Sequence, residues 1–160
     1  GTGSGAVALA CKSARPEIAM CGTDISDDAL RCARLNAEQL ALDVDWRCGR
    51  WFESVKGERW DLVVSNPPYI AEADAHLSEG DLLAEPRTAL VGGATGLEAL
   101  QEIICLTPNA VSPGGWLLLE HGYDQAEPVA GMLSDAGFSD VSTRSDWSGQ
   151  PRITGGQWAS

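Results

Sequence analysis

The chain contains the stretch WDLVVSNPPY at residues 60–69, an apolar run that ends in a turn with two consecutive prolines. The apolar run predicts a buried β-strand over residues 60–65. Proline continues neither a helix nor a sheet ladder and also restricts the residue before it, so the turn is predicted to be rigid. At the end of this strand, the Asn66 amide and the Pro67 carbonyl are then held in one orientation. This arrangement suits an enzyme that grips a planar NH2 group.

Helical and strand patterns alternate on both sides of this stretch. Proline, glycine and apolar spacing predict helices over residues 6–14, 26–40, 96–109 and 124–136. Further strands are predicted over residues 18–23, 44–48 and 116–120, with a final pair over 139–144 and 152–159. This order predicts an α/β fold with a mostly parallel sheet that ends in an antiparallel hairpin. Residues 71–95 show little periodicity and predict a long functional loop that contacts substrate.

The composition limits the class of protein. With 160 residues and 44% hydrophobic content, the chain has the size of one domain. Its formal charge of -12 disfavours tight binding to nucleic acid, because such binding depends on Lys and Arg that neutralise phosphates. A protein or small-molecule substrate is therefore expected.

Metal binding and export are also not indicated. The five cysteines form no C-x-x-C pair, and the two histidines are far from each other, so no metal site is expected. No leader peptide and no apolar run long enough to span a bilayer is recognised, which makes the cytoplasm the expected location.

A glycine loop, GTGSG, occupies residues 1–5. A glycine loop that opens a helix lets a ligand approach the backbone, and its N–H groups suit a carboxylate or a phosphate. Asp24 lies 19 residues after Gly5, at the end of the next predicted strand. Nucleotide-binding folds place a carboxylate there, on the ribose hydroxyls. The alternative for Asp24 is a cap for the helix that begins near Ser26, and the alternative for the glycines is a plain tight turn.

Together these motifs resemble the class I S-adenosylmethionine-dependent methyltransferases, which have a Rossmann-like fold. More narrowly, the chain resembles the release-factor glutamine methyltransferase family. The motifs that carry this resemblance span nearly the whole chain and are Gly1 to Gly5, Asn36-Ala37, Trp51-Phe52, Val64 to Ile70, Glu85-Pro86, Ala89-Leu90 and Leu118 to Gly122. That family methylates the side-chain amide nitrogen of the glutamine in the Gly-Gly-Gln motif of bacterial peptide-chain release factors.

The resemblance also implies roles for individual residues. Trp51 is implied to lie beside the adenine, where the residues alone equally allow a hydrophobic plug at the sheet edge. Asn66 is implied to contact both ligands. The implied contacts to S-adenosylmethionine are Gly1, Thr2, Gly3, Ser4, Gly5, Asp24, Trp51 and Asn66, and the implied glutamine clamp is Asn66, Pro67, Pro68 and Tyr69.

Three of these residues are assigned to catalysis. An amide nitrogen is a poor nucleophile and must be oriented. The Asn66 side-chain oxygen and the Pro67 carbonyl are therefore expected to accept hydrogen bonds from the two N–H groups of the substrate amide and to orient its lone pair. Tyr69 is expected to pack against the amide plane and to favour the cationic methyl donor. Glu85 is a candidate substrate contact or a solvated acid, whereas Glu120 and His121 are expected to be a structural pair at a strand end.

The chain departs from the family in two respects. Arg50 precedes Trp51-Phe52 where the family usually has an acidic residue, and we expect the family's N-terminal helical domain to be absent from residues 1–160. Because no strand precedes the glycine loop, we expect residues 1–160 to be an N-terminally truncated methyltransferase domain that lacks its first strand. Gly155-Gly156-Gln157 repeats the substrate motif, and we interpret this as a coincidence within a terminal strand.

Alternative interpretations follow from the same residues. N-P-P-Y also suits an adenine amino methyltransferase acting on DNA or RNA, although the negative charge disfavours it. A hydride-transferring dehydrogenase shares the glycine loop and Asp24 but gives no reason for N-P-P-Y. A third alternative is a non-catalytic cofactor-binding module. Locally, Asn66 is alternatively a turn residue bonded to its own backbone, and Tyr69 a core aromatic.

Overall fold

The computed structural model describes residues 1–78 and 86–159 of the chain. Contacts divide the chain into two compact units, Gly1–Lys56 and Gly57–Ser160. The single domain expected over residues 1–160 stays a prediction.

The first unit alternates helices with two parallel strands. It contains α1 (Ala6–Ala14), β1 (Cys21–Asp24), α2 (Asp27–Leu40) and β2 (Asp45–Cys48), followed by a short 3-10 turn at Glu53–Val55. In the β1–β2 pair, Cys21 lies opposite Asp45 and Asp24 lies opposite Cys48. The carboxyl ends of both strands therefore lie at the same edge.

The sequence determines the start of α2 locally. The Ser26 hydroxyl accepts a hydrogen bond from the Ala29 N–H at 3.2 Å, which satisfies a free amide at the helix start. The carboxylates of Asp27 and Asp28 in the first turn interact favourably with the positive end of the helix dipole. The apolar face of α2 and its neighbours form a small core of Ala8, Leu9, Ala37 and Val44, with Met20, Leu42 and Trp46 packed against it.

The described part of the second unit contains two sheets. Its strands are β3 (Trp60–Ser65), β4 (Ile70–Ala71), β5 (Val91–Gly93), β6 (Val111–Glu120), β7 (Phe138–Ser145) and β8 (Pro151–Trp158), and its helices are α3 (Arg87–Leu90), α4 (Glu98–Leu106) and α5 (Ala126–Asp135). Four strands form a sheet in the order β3-β6-β8-β7, and β4 pairs with β5. The pairs β3–β6 and β4–β5 are parallel, whereas β8 is antiparallel to both β6 and β7.

The predicted fold class is confirmed, including the mostly parallel pairing and the final hairpin. The predicted bounds of α1 and β3 are confirmed, and Ser26 is the cap of α2 as predicted. Among the described residues, no helix is long and apolar enough to cross a membrane.

Several element boundaries were predicted wrongly, and short elements within residues 71–95 were missed. β1 begins at Cys21 rather than at residue 18. β6 begins at Val111, because the predicted turn before residue 116 is an irregularity within the strand, where the register with β3 shifts and Gly114 has a φ of 77°. Residues 71–95 contain a 3-10 turn at Ala75–Ser78 together with α3 and β5, and these elements are too short to leave a periodic pattern. Glu85 lies outside the described residues.

The internal Gly155-Gly156-Gln157 motif has a packing role in β8. A Cβ at Gly155 would overlap the Leu118 side chain, and a Cβ at Gly156 would lie 2.9 Å from the Phe138 Cβ. The Gln157 side-chain amide donates to the Gly114 carbonyl at 2.8 Å. Each residue of the motif is therefore explained by the sheet.

The start of α4 generates a prediction about pH. The Thr95 N–H donates to the Glu98 carboxylate at 2.9 Å, and this hydrogen bond lowers the pKa of Glu98. Because the folded-state pKa is below the unfolded value of about 4.3, the stabilisation is present above that pH and is lost as the pH falls through the folded pKa. Glu98→Gln should therefore lower the melting temperature at pH 7 and have little effect at low pH.

The control for this measurement is Glu127→Gln, which changes an exposed glutamate in the first turn of α5. Its effect on the melting temperature should be smaller at pH 7. A loss for Glu98→Gln that is constant between pH 7 and pH 3 contradicts the role of the charged hydrogen bond.

Candidate functional site

The glycine loop is held against the end of β1 by its own backbone. The Thr2 N–H donates to the Thr23 carbonyl at 2.8 Å, and the Gly3 N–H donates to Asp24 Oδ2 at 2.8 Å. Gly5 closes the loop by donating to the Thr2 carbonyl at 2.9 Å. The Ser4 carbonyl accepts from the Asn36 side-chain amide at 2.9 Å. The first unit therefore places the loop beside the carboxylate that the sequence assigned to the same site.

Two glycines of the loop are required for different reasons. Gly5 is the cap of α1 with a φ of 81°, and a Cβ there would lie 2.7 Å from the Trp46 ring and 3.1 Å from the Ala33 Cβ. Gly3 has a φ of 57°, and a Cβ there would meet nothing within 4 Å. Position 5 thus allows close packing, whereas position 3 is required for its backbone conformation and has open space beside it.

Asp24 connects the loop to α2. Its side chain is buried, with 8% of its surface exposed. Oδ1 accepts from the Ser26 N–H at 2.9 Å, while Oδ2 accepts from Gly3. The helix-capping contact considered from sequence is thus present together with the loop contact. A carboxylate has about four acceptor sites, so two remain for hydroxyl groups of a ligand.

Trp51 lies at the same end of the first unit. Its carbonyl accepts from the Thr23 hydroxyl at 3.0 Å, and a Cβ at Gly1 would lie 4.0 Å from both its ring and Asp24 Oδ2. The Arg50 guanidinium carbon lies 5.2 Å from the centroid of the Trp51 ring. Where the family usually has an acid, this chain thus places a cation over the aromatic ring. The Trp51 Nε1 is buried and has no hydrogen-bond partner among the described residues.

In the second unit, the N-P-P-Y turn follows the carboxyl end of β3. Asn66 is exposed, Pro67 is buried, and Pro68 and Tyr69 are half-buried. Within residues 1–78 and 86–159, the Asn66 side chain forms no hydrogen bond, so its amide is not used to stabilise its own turn. The contact of Asn66 with a cofactor stays a prediction, because Asn66 and the glycine loop belong to different units.

The backbone of the turn is packed against glycines that sequence reasoning missed. Cβ atoms at Gly92 and Gly96 would overlap the carbonyl oxygens of Pro68 and Tyr69, respectively. The Gln125 side-chain amide donates to the Tyr69 carbonyl at 2.9 Å. The cluster of glycines at positions 92, 93 and 96 is the sequence signal that indicates a close backbone approach.

Of the two candidates at the end of β6, His121 has structural surroundings. His121 is fully buried, with Nδ1 2.7 Å from the Gly122 carbonyl oxygen and Nε2 2.7 Å from the Thr154 hydroxyl. The Thr154 hydroxyl also contacts the Thr143 hydroxyl at 2.8 Å. In the described part of the chain, no group of three or more His, Cys, Asp or Glu residues is arranged to hold a metal ion.

The fold defines the class of protein. The whole chain superposes on a solved methyltransferase from Pyrococcus furiosus with a TM-score of 0.72 at 16% identity, covering 73% of that chain. The fold is therefore that of a class I methyltransferase, a class that uses S-adenosylmethionine in general. The model of the family described as methyltransferase small domain matches residues 1–94, and the chain belongs to this family.

Curated relatives identify a narrower family within this class. The chain is 48% identical over 158 residues to a release factor glutamine methyltransferase from Xylella fastidiosa, which covers 98% of the chain and 58% of the relative. It is also 48% identical over 160 residues to a protein of the same name from Yersinia pestis, with 99% and 58% coverage. The resemblance stated from sequence is confirmed. The chain spans about three fifths of the length of these relatives.

The packing around the turn predicts that position 92 tolerates no side chain. Gly92→Ala should destabilise the protein by about 1–3 kcal/mol, because a Cβ would overlap the Pro68 carbonyl and would lie 2.8 Å from the Gly96 oxygen. Urea unfolding measures the difference.

Gly131 in α5 is the matched control, because a Cβ there would meet nothing within 4 Å. Gly131→Ala should stabilise the protein by about 0.5–1 kcal/mol, as expected within a helix. Equal stability of Gly92→Ala and the wild type would show that the turn adjusts freely.

Proposed function

We propose that the protein transfers a methyl group from S-adenosylmethionine to the side-chain amide nitrogen of the glutamine in the Gly-Gly-Gln motif of peptide-chain release factors. The observation that carries the proposal is the exposed Asn66 amide on a proline turn whose backbone is packed against Gly92 and Gly96. The curated relatives are named release factor glutamine methyltransferases, which supports a glutamine of a release factor as the acceptor.

The cofactor belongs with the first unit in this proposal. Gly1, Thr2, Gly3, Ser4 and Gly5 are proposed to contact the cofactor, with open space beside Gly3, while the N–H groups of Thr2, Gly3 and Gly5 already donate within the first unit. Asp24 retains acceptor capacity for the ribose hydroxyls, and Trp51 offers an aromatic neighbour for the adenine. When bound, S-adenosylmethionine supplies an electrophilic methyl group on a sulfonium centre. Asn66 is proposed to contact the cofactor as well as the substrate.

The turn is proposed to act on the amide of the substrate. The lone pair of an amide nitrogen is delocalised into its carbonyl, so the nitrogen must be oriented and its developing positive charge stabilised. The Asn66 Oδ1 and the Pro67 carbonyl oxygen accept hydrogen bonds from the two N–H groups of the substrate amide and direct its lone pair toward the methyl group. Pro68 keeps the turn rigid, and Tyr69 packs against the amide plane. One N–H proton leaves the nitrogen after transfer, so no strong base is required beforehand.

The charge of the chain favours a protein acceptor. A net charge of -12 opposes the approach to a phosphate backbone, and a protein acceptor presents no such backbone. Release factors act in translation, so the proposed location is the cytoplasm.

The test is methyl incorporation from labelled S-adenosylmethionine into a bacterial release factor and into its variant with Ala in place of the Gly-Gly-Gln glutamine. Label on the wild-type factor alone is expected. Label on both factors places the methyl group on another residue and contradicts the proposal. Label on DNA or RNA oligonucleotides but on neither factor favours the adenine amino methyltransferase.

The two halves of the proposed site make separable predictions. Asn66→Ala should abolish transfer and weaken S-adenosylmethionine binding much less than Asp24→Asn does, because it removes the acceptor for the substrate amide but only one neutral contact to the cofactor. Asp24→Asn should lower the affinity for S-adenosylmethionine by about 10- to 100-fold, which is the range for a lost hydrogen bond to a charged group. Calorimetric titration with the cofactor and the transfer assay measure both variants. Unchanged turnover of Asn66→Ala contradicts the mechanism.

A further inference from the structure

Gln125 is the residue before α5, and its side chain reaches the N-P-P-Y turn. The Gln125 Nε2 donates to the Tyr69 carbonyl at 2.9 Å and lies 3.5 Å from the Gly96 carbonyl oxygen. The Gln125 Oε1 accepts from the Gly122 N–H at 2.8 Å. A single half-buried side chain thus connects the turn after β6 to a segment 56 residues away along the chain.

These contacts determine the orientation of the Gln125 amide. In the reverse orientation, Oε1 would face the Tyr69 carbonyl oxygen, and Nε2 would face the Gly122 N–H. The first contact would bring two acceptors together and the second two donors, so only the observed orientation satisfies both groups. The side chain makes no capping hydrogen bond to α5 in the described part of the chain, which separates its role from the stability of that helix.

The carbonyl that Gln125 binds belongs to the proposed substrate clamp. Tyr69 follows Asn66, Pro67 and Pro68 directly, and its carbonyl oxygen also lies against Gly96. Gly96 has a φ of 81°, and a Cβ there would lie 3.0 Å from the Ala71 N and 3.1 Å from the Gln125 Nε2. The glycine permits the approach of the turn, and the Gln125 amide supplies the hydrogen bond that fixes its peptide plane.

We propose that Gln125 is a positioning residue for methyl transfer, which rests on the proposed function of the Asn66–Tyr69 turn. By holding the Tyr69 carbonyl, Gln125 fixes the Tyr69–Ile70 peptide plane and, through it, the direction of the Tyr69 ring and the turn before it. Gln125 itself contacts no reacting atom. A misplacement of about 1 Å at a reacting centre reduces turnover by roughly 100-fold. Loss of the hydrogen bond from Gln125 to Tyr69 is therefore expected to affect turnover rather than cofactor binding.

The variant that tests this proposal is Gln125→Glu, which keeps the acceptor for Gly122 and replaces the donor to Tyr69 with an oxygen. It should lower kcat by about 10- to 100-fold, as should Gln125→Ala, while the KM for S-adenosylmethionine stays within about twofold. The control is Gln101→Ala, which removes an exposed glutamine of α4 and should leave kcat unchanged. Activities are compared per folded molecule below the melting temperature, so that lost stability alone does not lower kcat.

A second readout does not depend on activity. The chain has two tyrosines, and only Tyr69 precedes an isoleucine, so labelling Tyr with 13C at the carbonyl and Ile with 15N gives a single correlation for the Tyr69–Ile70 peptide. Its carbonyl shift should change in Gln125→Glu and remain that of the wild type in Gln101→Ala.

The two readouts separate failure of the positioning role from failure of the proposed function. A kcat for Gln125→Glu within twofold of the wild type, or an unchanged Tyr69 carbonyl shift, overturns the proposal. If the wild type transfers no methyl group to the release factor, the proposed function and the role in turnover both fail, and the shift then reports only whether the hydrogen bond to Tyr69 forms.

Discussion

The close approach of two backbone segments determines the shape of the candidate substrate site. The carbonyl oxygens of Pro68 and Tyr69 lie so close to Gly92 and Gly96, respectively, that Cβ atoms at these glycines would overlap them. The parallel pairing of β4 with β5 holds the same segments together, with the Glu72 N–H donating to the Gly93 carbonyl at 2.9 Å. The turn is therefore fixed through its backbone, which leaves the polar side chain of Asn66 available for a ligand.

The first unit is built on the same physical principle. Its glycine loop is fixed by backbone donors to Thr23 and to the buried Asp24 carboxylate. Because Asp24 uses one acceptor site on each oxygen, it holds the loop and still has capacity for a ligand. In each unit, backbone contacts build the candidate site, and a polar side chain, Asp24 or Asn66, keeps hydrogen-bonding capacity for a ligand.

The sequence predicted the parts of these sites that depend on local residue types. The proline turn after an apolar run, the glycine loop before α1 and the cap of α2 each follow from a few adjacent residues. The strands β4 and β5 were missed because they contain only two and three residues. Gln125 was missed because its contact with Tyr69 is set by tertiary packing across 56 residues. The glycines at positions 92 and 96 were the available signal, although a sequence does not show which backbone approaches them.

In the proposed function, the Asn66–Tyr69 turn holds the side-chain amide of the substrate glutamine for methylation. The most direct measurement is fragmentation mass spectrometry of the Gly-Gly-Gln peptide from a release factor treated with the protein and S-adenosylmethionine. One added methyl group is expected on the side-chain nitrogen of the glutamine. A methyl group on any other atom of the factor, with the glutamine amide unmodified, would contradict it.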